Sequence, residues 1–192
     1  MKKNNVSERI SPTLEKDELE RLYNSIKEVV SLEEAKKIIS KIPLALNSTP
    51  KERADWVEKL SSLLEEEYDW STIKRIRQGC FCNENGKLEE TAQMLRNLYL
   101  SLDKDMRKFV EAINESGAGW YFEDNYLYTK YLSCPCPMLQ NAGISQSLTW
   151  CQCTAGYTKK FFDLAFNISV DVDIVHTIRQ GYEECLLRIT FI

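Results

Sequence analysis

Hydrophobic residues between positions 11 and 116 recur at intervals of three and four, which is the spacing of one face of an α-helix. Polar residues typical of helix starts precede these segments. Ser31 with Glu34 has the pattern of a capping box, and Thr49 followed by Pro50 supplies an N-cap and a first-turn proline. Residues 87–102 form another amphipathic segment, and Asp103 can cap a helix that follows it. The pattern predicts roughly five or six helices.

Aromatic and β-branched residues dominate after Gly117. The segment GWYFEDNYLYTKYLS predicts a β-hairpin that turns near residues 123–125. A helix follows, for which Thr149 and Gln152 form a capping-box pair, and Gly156 allows close packing against a neighbour. The packing stripe of this helix consists of Trp150, Cys153, Tyr157, Phe161 and Leu164.

The C-terminal sequence SVDVDIVHTIRQGYEECLLRITFI alternates in polarity and predicts the two strands of a hairpin. A two-residue turn at Gln180 and Gly181 would place His176 opposite Cys185. The same register gives three apolar pairs, Val170 with Phe191, Val172 with Ile189, and Ile174 with Leu187.

These elements predict an α+β fold, in which mostly N-terminal helices pack around a small antiparallel sheet of about four strands that ends in a β-hairpin. A chain of 192 residues can bury a sizeable core as one domain. We therefore predict a single domain over residues 1–192, with a helical half at 11–116 and an α+β half at 117–192.

Composition and charge narrow the function. Hydrophobic residues make up 43% of the chain and charged residues 28%, which is an ordinary globular balance. The net charge of −4 is dispersed and no basic stripe exists, so we expect no nucleic-acid partner. No apolar run could span a membrane and no secretion signal is visible, so the sequence predicts a soluble, cytoplasmic protein without a membrane partner. Motifs of nucleotide-binding proteins, serine hydrolases and zincins are missing from the sequence.

The candidate chemistry lies in the seven cysteines. Three Cys-x-Cys pairs and one single residue make up the set: Cys80 and Cys82, Cys134 and Cys136, Cys151 and Cys153, and Cys185. Structural disulfides are rare in a reducing compartment, and an odd number of thiols cannot all pair. In an extended segment both side chains of a pair lie on one face, so two pairs can complete a zinc site or hold an iron–sulfur cluster. Pro135 and Pro137 stiffen the second pair, and an NENG turn follows the first.

Cys151 and Cys153 suit a second chemistry. Residues two apart on a helix point away from each other, so these two could share one ion only if the first turn is unwound. The N–H groups of a first helical turn favour anions and lower the pKa of a thiol, which suits a metal-bound thiolate or a nucleophile. His176 could act as a base or a ligand, although a histidine on an apolar strand face is more often a hydrogen-bonded core residue. Redox-active pairs and inert buried cysteines are the other readings.

The C-terminal quarter of the chain resembles the four-vinyl-reductase domain, which shares the fold of the TRAPP transport components. The residues that match are Cys153, Gly156, Tyr157, Phe161, Phe162, Val170, Val172, Gly181, Cys185 and Ile189. Thr177 stands where that family has a strand cysteine, so a metal site of that family would lack one ligand here.

The wider stretch at residues 131–192 is similar to the L-2-amino-thiazoline-4-carboxylic acid hydrolase family. It has a Cys-Pro after a strand, a later cysteine before a helix, and a terminal hairpin with a cysteine. Both resemblances imply helices around a small antiparallel sheet with a ligand pocket.

Two functions from different classes follow. The first is a cytoplasmic small-molecule or metal-binding protein, in which Cys134, Cys136 and some of the other cysteines bind zinc or an iron–sulfur cluster, with Cys185 nearby. The alternative is a hydrolase, implied by the second resemblance, with Cys151 or Cys153 as nucleophile and His176 as base. A redox sensor is a third reading. A small-molecule ligand is expected, and a homodimer is left open.

Overall fold

The computed structural model describes residues 14–83, 86–134, 136–140 and 142–192. Residues 11–13 of the predicted helical half, two residues of the NENG turn and Pro135 lie outside this part of the chain. Seven α-helices and four β-strands lie within it: α1 Leu14–Val29, α2 Leu32–Lys41, α3 Pro50–Glu67, α4 Trp70–Gln78, α5 Leu88–Ser101, α6 Met106–Asn114, β1 Tyr121–Glu123, β2 Tyr126–Tyr131, α7 Gln152–Phe166, β3 Val170–His176 and β4 Cys185–Phe191. The fold is α+β, with a mostly helical N-terminal region.

Side-chain caps fix the starts of several helices. The Ser31 hydroxyl accepts a hydrogen bond from the Glu34 N–H, and Thr49 and Glu52 form a complete capping box, as the sequence predicts for α2 and α3. The predicted cap of α6 is wrong. Asp105 caps this helix, because Asp103 lies in the loop before it with a φ of 56°.

The predicted capping pair of α7 is also wrong. Cys151 is the N-cap residue of this helix and makes no side-chain capping bond. The Thr149 hydroxyl instead donates to Glu65 Oε1 at 2.6 Å, which ties the segment before α7 to α3. Gly156 does allow close packing, because a Cβ there would lie 2.0 Å from the carbonyl oxygen of Gln78 at the end of α4.

The four strands form one antiparallel sheet in the order β1-β2-β4-β3. The three predicted apolar pairs of the C-terminal hairpin are confirmed. The predicted pairing of His176 with Cys185 is wrong, because the register shifts between Ile174 and His176, and His176 pairs with Leu186. Cys185 pairs with Tyr131 on the other side of β4.

A short 3₁₀ helix, Ile178–Gln180, replaces the predicted two-residue turn between these strands. Thr177 and Gln180 stabilise it with a capping box of their own, in which the Thr177 hydroxyl accepts from the Gln180 N–H. The Gln180 side-chain oxygen accepts from the Thr177 N–H at 3.0 Å. Gly181 then takes a φ of 96°, which suits glycine.

Two hydrophobic clusters make up the core of the described residues. The first is built mainly by α1 to α4 and includes Trp150, while the second lies between the inner face of the sheet and helices α5 to α7. Phe162 of the second cluster is almost fully buried, and burial of such a side chain stabilises a fold by about 2 kcal/mol. Cys80 belongs to the first cluster, and Cys185 packs against the second. None of the described helices combines the length and apolar composition needed to cross a membrane.

Candidate functional site

The cysteines lie at four places along the fold. Cys80 and Cys82 follow α4, and Cys134 and Cys136 follow β2. Cys151 and Cys153 lie at the start of α7, and Cys185 begins β4. Cys80, Cys134, Cys136, Cys151, Cys153 and Cys185 are free thiols.

A small cavity of about 20 Å³ lies between these segments. Five cysteines line it, namely Cys134, Cys136, Cys151, Cys153 and Cys185. A volume of this size holds one water molecule or one ion of similar size. No histidine, aspartate or glutamate is among the described residues that line this cavity. We call these five residues the thiol cluster.

A larger cleft adjoins the small cavity and measures about 530 Å³. Cys82, Lys87 and Tyr157 line it, and Tyr131, Cys136, Cys153 and Thr154 line both the cleft and the small cavity. Clefts of this size accept drug-sized molecules. Thiols from three separate Cys-x-Cys pairs therefore surround two neighbouring spaces.

Different groups of the protein position the thiols of the cluster. Trp150 Nε1 donates to Cys136 Sγ at 3.4 Å, and the Ile178 N–H donates to Cys185 Sγ at 3.4 Å. Cys151 precedes the first residue of α7, and both it and Cys153 line the small cavity. Cys151 keeps helical backbone angles, with φ −69° and ψ −10°, so the expectation that these two side chains point away from each other stays a prediction.

Cys80 lies behind the cluster. It is 2% exposed, it does not line either cavity, and its thiol donates to the Ile76 carbonyl at 3.2 Å. Cys80 is thus the cysteine best suited as an internal control for experiments on the cluster.

Burial dominates the ionisation of these thiols. It raises the pKa of Cys80 to about 11 and that of Cys136 to about 12. Burial also raises the pKa of Cys151, Cys153 and Cys185. The expected lowering of the pKa by the start of α7 is outweighed, so a thiolate forms here only where a cation compensates its charge.

Arg77 supplies a buried cation beside the cluster. Its side chain is fully buried in α4, Nη1 donates to Glu18 Oε1 at 3.1 Å, and Nη2 donates to the Trp150 carbonyl at 3.5 Å. Arg77 Cζ lies 4.0 Å from the centroid of the Trp150 ring. The charge of Arg77 opposes the effect of burial on the pKa of Cys80 and of Cys153.

Arg179 lies in the 3₁₀ helix between β3 and β4 and lines the small cavity. Its guanidinium donates to the Gly143 carbonyl and to Glu58 Oε1. Neither Arg77 nor Arg179 is among the residues predicted from the sequence. The signal for Arg77 is its place four residues after Ile73, on the buried face of α4 with Ile76.

His176 interacts with Tyr182 and Glu184. Its ring stacks on Tyr182 with centroids 4.3 Å apart, and Nε2 is 4.0 Å from Glu184 Oε1. It lines neither of the two cavities. The structure does not place His176 on the cavity that Cys151 and Cys153 line. The hydrolase with His176 as base stays a prediction.

The thiols line one space but are not arranged around a common point. Across residues 14–83, 86–134, 136–140 and 142–192, no group of three or more histidine, cysteine, aspartate or glutamate side chains is placed to hold a metal ion. The chemistry of five sulfur donors fits a thiophilic metal, whereas the spacing of the donors does not yet form a coordination shell.

The fold and the site together define an α+β protein with a cluster of free thiols beside a ligand-sized cleft. Residues 13–192 match a protein family whose description is a family of unknown function (DUF6144). The chain therefore belongs to this family. None of the curated proteins matches the chain, and neither does any solved structure.

Proposed function

We propose that this protein binds a thiophilic metal ion through cysteine thiolates. The observation that carries the proposal is that five cysteines, from the segment after β2, the start of α7 and the start of β4, line one cavity of about 20 Å³. Sulfur ligands from separate segments that meet around an ion-sized space are typical of structural metal sites. Cys80 and Cys82, which the sequence also suggests as ligands, do not line this space.

The size of the cavity favours a single ion over a cluster. A volume of about 20 Å³ matches one water-sized occupant, whereas a [4Fe–4S] cluster contains eight heavy atoms. Zinc is the single ion that thiolates most commonly hold in structural sites. We therefore favour zinc and keep an iron–sulfur cluster as the second option.

Metal binding would have to draw the thiols closer together than they lie here. Four ligands at about 2.3 Å from one ion must approach one another, and the energy of those bonds is available to reorganise the segments that carry them. The segment with Cys134 and Cys136 is the natural part to adjust, because Cys134 is the one exposed cysteine among the described residues.

The cleft supports the other half of the predicted function, the binding of a small molecule. Its volume of about 530 Å³ is suited to an organic ligand, and Cys136 and Cys153 would contact both that ligand and the metal site. The proposal also includes a cytoplasmic location, because a reducing compartment keeps thiols free.

Metal analysis of the untagged chain, purified without oxygen, tests the proposal. We expect close to one zinc per chain, whereas less than about 0.2 zinc or iron per chain would reject a thiolate site. Cys153→Ala should lose most of the metal, because Cys153 lines the cavity. Cys80→Ala, which changes a buried cysteine outside it, should retain the metal and is the matched control.

A further inference from the structure

The cleft of about 530 Å³ beside the thiol cluster has mostly apolar walls. Leu88 lines it from the start of α5, and Leu132 and Pro137 line it from the segment after β2. Tyr131 and Tyr157 add two aromatic side chains to the lining. Walls of this kind bind the apolar body of an organic ligand.

Contacts outside the cleft hold both tyrosines in place. The Tyr131 hydroxyl and Thr158 Oγ1 share a hydrogen bond of 3.0 Å. The Tyr157 ring stacks on Phe161, with centroids 6.2 Å apart, and meets Phe81 edge-on with centroids 6.5 Å apart. Because these rings are fixed before a ligand arrives, little conformational entropy is lost when the ligand packs against them.

Lys87 gives the cleft a positive charge that is not compensated within the described part of the chain. It is exposed and forms no ion pair with a described residue. The other lysine of the lining, Lys130, already pairs with Glu184 at 2.9 Å. Glu89 accepts a hydrogen bond from Asn83 at 3.4 Å, and the described residues that line the cleft include no aspartate or glutamate. The lining therefore favours a ligand with negative charge.

The start of α7 acts in the same sense. Cys153 and Thr154, from its first turn, line the cleft. This turn contains no acidic residue, and the N-cap residue Cys151 makes no side-chain capping bond. The positive end of the helix dipole is thus not compensated locally by a side chain, and it favours an anion within the first turn. The start of α5 differs, because Glu89 and Glu90 supply negative charge in its first turn.

We infer that the cleft binds a small organic acid, whose apolar body packs against Tyr131 and Tyr157 and whose acidic group pairs with Lys87. The inference rests on the small-molecule half of the proposed function and names the class of ligand. It does not depend on a bound metal. An acid gains an ion pair with Lys87 that a neutral molecule of the same shape lacks, and an organic cation would be repelled.

Two fluorescent probes that differ in one group test the inference. Anilinonaphthalene sulfonate is an anion, and phenylnaphthylamine has the same rings without the sulfonate. Each probe is titrated into the reduced full-length protein at low salt. Lys87→Gln should weaken binding of the sulfonate by about threefold, as expected for an exposed ion pair, and should change the affinity for the neutral probe by less than about twofold. High salt should reduce the loss for the sulfonate.

Two control variants show where the probes bind. Lys108→Gln removes an exposed lysine of α6 that does not line the cleft, and both affinities should stay within about twofold of the unmodified protein. Leu132→Ala shortens an apolar side chain of the cleft wall and should weaken both probes by about threefold or more. Leu132 is 69% exposed and Lys87 makes no capping bond, so neither substitution should disturb the fold.

A loss at Lys87→Gln that is confined to the sulfonate would support the inference. Equal effects of Lys87→Gln on the two probes, no effect on either, or equal losses for Lys87→Gln and Lys108→Gln would overturn it. In those cases a response of both probes to Leu132→Ala would still locate small-molecule binding in the cleft. If Leu132→Ala changes neither affinity, the inference and the small-molecule half of the proposed function both fail, whereas the zinc content of the unmodified chain tests the metal site separately.

Discussion

The guanidinium of Arg77 stacks on the indole ring of Trp150, with Cζ 4.0 Å from the ring centroid. The same ring donates a hydrogen bond to Cys136 Sγ at 3.4 Å and packs edge-on against Trp56. Trp150 is 4% exposed. One side chain therefore connects the buried cation of α4, the helical cluster and the wall of the small cavity.

Replacement of Trp150 should be costly for this reason. Trp150→Phe keeps an aromatic ring but leaves a void and removes the donor to Cys136, so we expect a loss of about 2 kcal/mol in the free energy of unfolding. Urea denaturation of the metal-free chain measures it. Trp70→Phe, at a tryptophan that is 48% exposed, is the control and should change stability by less than about 0.5 kcal/mol. Equal losses would contradict the assigned role of Trp150.

The contact between α7 and the end of α4 predicts a severe effect of one methyl group. A Cβ at position 156 would lie 2.0 Å from the Gln78 carbonyl oxygen and 2.7 Å from its Cα. Because these are backbone atoms that a rotamer change cannot move, Gly156→Ala should lower the free energy of unfolding by about 3 kcal/mol or more. Gly143→Ala meets no atom within 4 Å and should be nearly neutral in the same thermal or urea measurement. A neutral Gly156→Ala would show that the two helices do not meet at this point.

Two aspartates before α6 distinguish the observed cap from the one that the sequence suggests. Asp105 Oδ1 accepts from the N–H groups of Arg107 and Lys108, so Asp105→Ala should cost about 1 kcal/mol of stability. Asp103 has a φ of 56°, so Asp103→Gly should be neutral or slightly stabilising. Chemical denaturation of both variants tests the pair, and a larger loss at Asp103 would refute the observed start of the helix.

The ion pairs of Glu67 with Lys37 and Lys41 at the surface predict how the free energy of unfolding changes in acid. Hydrogen bonds from Lys37, and then from Lys41, lower the pKa of Glu67 to about 2. A lowered pKa means that the stabilisation is present above the ordinary glutamate pKa of about 4.3 and is lost as the pH falls toward 2. The difference in stability between the unmodified chain and Glu67→Gln should therefore be largest at neutral pH and vanish near pH 2.

Salt and a neighbouring residue supply the controls for that series. High salt should reduce the difference at neutral pH, because the group lies at the surface. Glu66→Gln changes an exposed glutamate next to it that forms no ion pair with a described residue. A difference for Glu67→Gln that persists unchanged to pH 2 would rule out the ion pair as its source.

The C-terminal hairpin shows which strand pairings the alternation of polar and apolar residues can predict and which it cannot. Alternation predicted the pairing of Val170 with Phe191 and of Ile174 with Leu187, because one face of each strand is buried and a shift by one residue would expose it. The displaced His176 was not predictable in the same way. It depends on the bulge and on the 3₁₀ turn that Thr177 and Gln180 stabilise, and neither changes the apolar pattern.

At the candidate site, the spacing of the cysteines predicts thiolate chemistry but not which cysteines lie together in the fold. The three Cys-x-Cys pairs predict thiolate chemistry, whereas the placement of Cys136 and Cys153 on one cavity depends on how α7 packs against α4. Arg77 lies in the sequence IKRIRQ, where neighbouring charges are typical of a solvent-facing helix. Its place on the face of Ile73 and Ile76 is a local signal for burial, but its partners Glu18 and Trp150 are distant in sequence and cannot be read from the local pattern.

The zinc K-edge X-ray absorption spectrum of the zinc-loaded, reduced chain tests the convergence of the thiols most directly. We expect a first shell made of sulfur alone, at about 2.3 Å from the metal. A shell dominated by nitrogen or oxygen at about 2.0 to 2.1 Å would contradict it, because the described residues that line the small cavity include five cysteines and no histidine or carboxylate.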